Sequence, residues 1–136
     1  MNMNQFTQKT VEALQRAQSL AIEYQHMQVE QEHLMAALLE DPNGLISQLL
    51  TRMGMNADGL RKAVTDSLGR IPRVSGPGRE ADKVYISPEV ENALLEAENR
   101  AKQMKDEYLS VEHVWLGICA KPNNRVKGLL RTFNYQ

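Results

Sequence analysis

The sequence predicts an all-α domain built from two tandem copies of one four-helix unit. Three observations carry that prediction: a composition of helix formers, a self-overlap at a fixed offset, and breakers that fall at the same places in both copies. Ala, Leu, Glu, Gln, Lys, Arg and Met dominate, aromatics are only 5%, and no alternating run of Val, Ile and Thr marks a strand. Laying Phe6–Gly54 over Ile86–Asn134, an offset of 80 (86 − 6), needs no gap. Identities then recur at helical spacing (Ala13/Ala93, Leu14/Leu94, Ala17/Ala97, Ala21/Ala101), and Glu32-His33 falls on Glu112-His113. Pro42-Asn43 meets Pro122-Asn123, and Leu49-Leu50 meets Leu129-Leu130. Unrelated helical segments would not hold a turn and a polar pair in register. A chain of 136 residues suits intimately packed halves, so the copies are expected to form one pseudo-twofold domain.

The first helix of each copy begins after a hydroxyl, Thr7 or Ser87, which can accept a bond from an unpaired N–H of the first turn. Pro88 follows at the first helical position, where its missing N–H costs nothing. One face of this helix carries Phe6, Thr10, Ala13, Leu14, Ala17, Ala21 and Tyr24. Its counterpart carries Ile86, Val90, Ala93, Leu94, Ala97, Ala101 and Met104. The second helices are expected over about 30–39 and 110–120, ended by Pro42 and Pro122. Third helices follow, with Leu45, Ile46, Leu49, Leu50 and Met53 inward in one and Val126, Leu129, Leu130 and Phe133 in the other. Gly54 and Asn134 stand at their C-caps. A fourth helix is predicted from Ala57 to Leu68, between Asn56 and Gly69. The second copy reaches Gln136 before any equivalent, so its last helix is expected to be missing and the chain to be part of a longer protein. The division is therefore 1–69 for the first repeat, 70–85 for a Pro- and Gly-containing linker, and 86–136 for the truncated second repeat.

The same residues exclude several functions. A net charge of −1 gives no general basic face for nucleic acid. No stretch approaches the roughly 20 apolar residues of a membrane span, and no secretory leader opens the chain. Cys119 is the lone cysteine, so no internal disulfide forms, and a cytoplasmic location is expected. Flanked by Ile118 and Ala120, it reads as a small buried hydrophobe rather than a nucleophile. His26, His33 and His113 show no metal-ligand spacing, so no metal is expected. Gly76-Pro77-Gly78 lacks the Lys-Ser/Thr of a phosphate-binding loop, and this chain alone is not expected to be an enzyme.

One constellation remains, a hydroxyl at the first-helix start (Thr7, Ser87) and a carboxylate at the second-helix start (Glu32, Glu112). These are helix caps that satisfy N–H groups and complement the helix dipole. Alternatively they form a pocket in which helix N-termini hold an anion and the carboxylate pairs a guanidinium.

The residues that carry the repeat resemble the Clp N-terminal repeat domain of the Hsp100 AAA+ chaperones. Matching runs are Ala17-Gln-Ser-Leu-Ala21, Glu32-His33-Leu34-Met35-Ala36-Ala37-Leu38-Leu39, Ile86-Ser87-Pro88 and Leu109-Ser110-Val111-Glu112-His113. The inter-repeat run Leu68-Gly-Arg-Ile-Pro-Arg-Val-Ser-Gly76 is most similar to the bacterial disaggregase branch, ClpB. The resemblance implies a substrate-binding N-domain, monomeric in isolation, that engages unfolded or aggregated proteins. It would deliver them to the AAA+ ring of a homohexameric parent working with an Hsp70 system. It implies no cofactor here, with ATP and Mg²⁺ confined to the ATPase modules. By motif position Thr7, Asp106 and Glu112 look like the family's polar substrate contacts. Val90, Leu94 and Tyr108 are expected to line an apolar groove. The protease-partner branches offer two alternatives. A ClpC-type domain would read phosphoarginine through Thr7, Glu32, Ser87 and Glu112, and a ClpA-type domain would dock an adaptor.

Overall fold

The computed structural model describes residues 3–74 and 84–135. Seven α-helices account for most of them: α1 Gln8–Glu23, α2 Gln31–Leu39, α3 Leu45–Arg52, α4 Ala57–Arg70, α5 Pro88–Gln103, α6 Val111–Ala120 and α7 Asn124–Thr132. The two copies pack as one pseudo-twofold helical domain, with α5–α7 repeating α1–α3. The duplication extends to unusual backbone torsions. Positive φ occurs at Gln25 and Lys105, and again at Gly54 and Asn134, each pair related by the offset of 80.

Predicted caps appear as hydrogen bonds. Thr7 Oγ1 accepts from Thr10 N–H at 3.2 Å, Ser87 Oγ from Val90 N–H at 3.1 Å, and Asn56 Oδ1 from Gly59 N–H at 2.9 Å. The second helices use an unanticipated cap. In each, the imidazole of His33 or His113 turns back, and its Nδ1 accepts the N–H of Glu30 or Ser110. Because Nδ1 is the acceptor, the proton sits on Nε2 and points elsewhere in the fold.

Two strands of two residues each, β1 Gln28–Val29 and β2 Tyr85–Ile86, pair in parallel across the copies. They are too short for any periodicity to have revealed them. A bridge between Phe6 and Leu109 is their pseudo-equivalent. Thus Thr7 N–H donates to Leu109 C=O at 3.1 Å, while Ser87 N–H donates to Val29 C=O at 3.0 Å. Each copy pins the start of the other's first helix.

Leu34, Met35, Leu39, Leu50, Leu60, Val64 and Ile118 form the centre of the core, each burial contributing about 1.5–3 kcal/mol. Four expected inward residues differ. Leu45, Met53, Ile86 and Met104 are largely exposed. Leu45 opens α3, Met53 and Met104 are C-caps, and Ile86 lies in β2, so all sit where a helical stripe runs off its partner. The fourth helix also continues through Gly69 to Arg70. The expected linker has ordered ends, since Val74 N–H donates to Gln25 C=O at 2.8 Å and Tyr85 lies in β2. Its residues 75–83 lie outside the described residues.

Candidate functional site

The crossed strand pairings create two pseudo-equivalent junctions, each joining a first-helix start of one copy to a second-helix start of the other. Ser87 meets the segment leading to Glu32, and Thr7 meets the segment leading to Glu112. Thr10 Oγ1 adds a 2.9 Å bond to the Leu109 carbonyl. The sequence pairing of hydroxyl and acid therefore operates between repeats rather than within one.

The junctions differ sharply. Glu32 is fully buried, and both its oxygens are taken by the second copy. Asn123 Nδ2 donates to Oε1 at 2.9 Å, and the Arg125 Nε–H donates to Oε2. The Arg125 guanidinium also lies 3.7 Å from Glu30, and this acidic bed raises its pKa, chiefly through the bond to Glu32. Gln31, likewise buried, donates to the carbonyls of Glu89 and Lys121 at 3.0 and 2.8 Å and accepts the Asn123 N–H. Ser87 is buried with its Oγ engaged as a cap.

At the other junction the equivalents of Gln31 and Arg125 are Val111 and Leu45, which fill less space and make no polar bonds. A groove of about 440 Å³ opens there, lined by Ala13, Leu38, Leu45, Ile46 and Val111 with Lys9 and Asp41 at its edge. Arg16 also borders it, held by Glu40 in a bidentate pair at 2.9–3.1 Å and by Glu23. Glu112 is half-buried, and its carboxylate makes no hydrogen bond or ion pair with any described residue.

Asp106 and Tyr108 lie beyond Leu109, beside a small cavity of about 120 Å³ that also includes Phe6. His113 Nε2–H donates to Asp106 Oδ2 at 2.8 Å, leaving the carboxylate half-exposed, and Tyr108 is exposed. Val90 is fully buried in the core, so it offers no surface where the sequence placed a groove wall. The apolar groove lies elsewhere, between the first helices of both copies. Phe6 and Ile86, Val11 and Glu91, and Leu14 and Leu94 line it in pseudo-equivalent pairs, so it straddles the pseudo-twofold axis. Its volume is about 570 Å³, and Met3, Val29 and Val84, with the polar Gln15 and Gln18, complete it. Only Leu94 among the expected groove residues contributes. The signal for the others was present in the Phe6/Ile86 and Leu14/Leu94 matches, because residues on a symmetry axis must come as such pairs.

Catalytic features are weak by comparison. Burial pushes the Cys119 thiol up to about 11, which disfavours a thiolate, and the neighbouring Tyr135 hydroxyl up to about 12. Among the described residues no group of His, Cys, Asp and Glu could hold a metal ion, and no helix is long and apolar enough to cross a membrane.

The fold is that of a duplicated helical domain. The chain belongs to the Clp family: residues 5–133 match the Clp repeat N-terminal domain. It is 37% identical over 128 residues to the chaperone protein ClpB of Nitratidesulfovibrio vulgaris, covering 94% of this chain but 15% of that protein. The Hsp104 N-terminal domain from Candida albicans superposes with a TM-score of 0.82 at 21% identity, over 96% of this chain and 83% of that one. A ClpV N-domain in complex with a VipB peptide gives 0.72 at 22% identity, over 96% and 80%. The chain therefore spans about one-seventh of the curated ClpB length it matches.

Proposed function

We propose that this domain is a substrate-receiving module that holds apolar side chains of unfolded or aggregated polypeptides in the groove on the pseudo-twofold axis. The observation that carries this reading is an open apolar groove framed by equivalent residues of both copies. Exposed Met3 and Ile86 stand at its rim. Unfolded segments differ from folded partners in presenting short apolar runs with free backbone, and such a groove accepts them without reading a particular sequence. Thr7, Asp106, Tyr108 and Glu112 would flank the bound segment, with the carboxylates of Asp106 and Glu112 meeting basic residues that neighbour an apolar run. A VipB peptide on a ClpV N-domain of the same fold supports peptide binding as a use of this scaffold.

Delivery of the captured chain to an ATP-driven ring in a longer, homohexameric ClpB-type protein completes the proposal. ATP and Mg²⁺ would act in modules other than this one.

The test is a titration of the ¹⁵N-labelled domain with a permanently unfolded protein. Weak binding is expected, at micromolar Kd or poorer, with shifts at Val11, Leu14 and Ile86. Ile86→Glu places a charge on the exposed rim without entering the core and is expected to weaken binding about tenfold, equivalent to about 1.4 kcal/mol. Glu112→Ala is expected to weaken it by a few-fold and to steepen no salt dependence, since one charge pair is lost. An absence of shifts at high concentration, or shifts that spare the groove, would refute the proposal. Tight saturable binding of one folded protein, with indifference to unfolded chains, would support adaptor docking instead.

A further inference from the structure

We infer that the axial groove takes an apolar segment in either chain direction, and that Glu91 fixes one direction for segments carrying a basic residue at one end. The inference rests on the substrate-receiving reading and adds how a segment lies in the groove. A groove that straddles a pseudo-twofold axis presents nearly the same face after a half-turn. Phe6 exchanges with Ile86 and Leu14 with Leu94, so an extended segment meets similar apolar side chains from either end. Direction is ordinarily read by a ladder of backbone hydrogen bonds, as at a sheet edge. Here the long walls are α1 and α5, and the Val11 and Glu91 N–H groups already donate to the Thr7 and Ser87 carbonyls. Side chains are left to decide.

The equivalence fails in charge at one pair. Val11 and Glu91 occupy matching positions, yet Glu91 is the only charged residue lining the groove among the described residues. It is exposed, and its carboxylate makes no hydrogen bond or ion pair with any described residue. An acid in a first turn complements the helix dipole, but α1 forms with no acid in its first turn, so the dipole alone does not call for Glu91. Glu89, on the same turn, does not line the groove. Gln15 and Gln18 also lack counterparts in the lining, but a neutral carboxamide both donates and accepts and so selects no charge. A Lys or Arg beside an apolar run is therefore drawn to the α5 side of the axis, and the direction of the chain follows from which flank carries it.

The probes are acetylated and amidated peptides with a Leu-Val-Phe-Leu run between Gly-Ser flanks and a nitroxide at one end, titrated onto the ¹⁵N-labelled domain. With neutral flanks, a nitroxide at either end is expected to broaden the Val11 and Glu91 amides equally. With one Lys on the C-terminal flank, the C-terminal nitroxide should broaden Glu91 over Val11 by about two- to fivefold, the range an exposed ion pair supports. Moving the Lys to the N-terminal flank should pass that preference to the N-terminal nitroxide. Glu91→Val should restore equal broadening, and Glu91→Lys should confer the preference on an Asp-flanked peptide instead. Glu91 is exposed on α5, so neither substitution enters the core. One-sided broadening by the neutral peptide, or a bias that ignores the Lys or survives Glu91→Val, overturns the inference while leaving the groove as the binding site. Shifts that spare Val11, Leu14 and Ile86 remove the substrate-receiving reading and this inference with it.

Discussion

Replacing Gly117 by Ala is expected to destabilise the domain by about 3 kcal/mol or more, at the upper end of overpacking effects. Gly117 sits in α6 where it crosses α5. A Cβ there would lie 2.1 Å from the Ala93 carbonyl oxygen and 3.0 Å from the Ala97 amide nitrogen. Both obstacles are backbone within a helix, so no rotamer change relieves the contact and the two helices must separate. That separation would loosen Val90, Ala97, Val114 and Ile118, which are all fully or almost fully buried. Gly69→Ala is the contrasting substitution. Nothing lies within 4 Å of its added Cβ, and it sits in α4, so it is expected to stabilise by up to about 1 kcal/mol. Urea denaturation followed by circular dichroism checks both. Equal midpoints for the two variants would contradict the packing account.

Acidification is expected to remove about 3 kcal/mol of stability between pH 6.5 and 4, through the buried histidine pair. Glu30 N–H donates to His33 Nδ1, so the His33 Nε2 carries the proton and donates to His26 Nδ1 at 2.8 Å. His26 Nε2–H in turn donates to the Ile71 carbonyl at 3.2 Å, tying the end of α4 to the turn that follows α1. This relay works only with both rings neutral, because a second proton on either would oppose a donor. Desolvation, followed by the neighbouring His26, lowers His33 to about 4, and burial lowers His26 as well. The sign follows from where protons bind. Above about 6.5 both folded and unfolded chains keep histidine neutral, and the pair's contribution is fully present. As pH falls toward 4, the unfolded chain takes up protons that the folded one refuses, so stability declines with falling pH. Midpoints at pH 7.0, 6.0 and 5.0 give the slope before most carboxylates titrate. His33→Gln should flatten it, and a wild-type midpoint that does not move between pH 7 and 5 would count against the relay.

Much of this fold was legible in the sequence because helical periodicity, Pro breakers and capping hydroxyls are local signals. Thr7, Ser87 and Asn56 cap helices where the chain chemistry placed them. The histidine caps were not legible, since His is no ordinary capping residue and its role depends on a ring folding back onto Glu30 or Ser110. The strands were hidden by their brevity. Hydroxyl and acid at repeated positions were visible, yet their pairing across copies, and the capture of Glu32 by Arg125, depend on contacts far apart in the chain, 93 residues in the latter case. Val90 was misplaced for a related reason: a helical stripe shows which face is apolar, not what covers it.

The crossed pinning of helix starts also sets a schedule for synthesis. Thr10 bonds to a carbonyl 99 residues downstream, and at about 5–20 residues per second that partner is made roughly 5–20 s later. During that interval the first repeat can wind its helices, but the Thr7 amide and Thr10 hydroxyl must remain hydrated and one wall of the axial groove does not yet exist. A nascent chain stalled before Val84 therefore holds half of a grip and cannot close it.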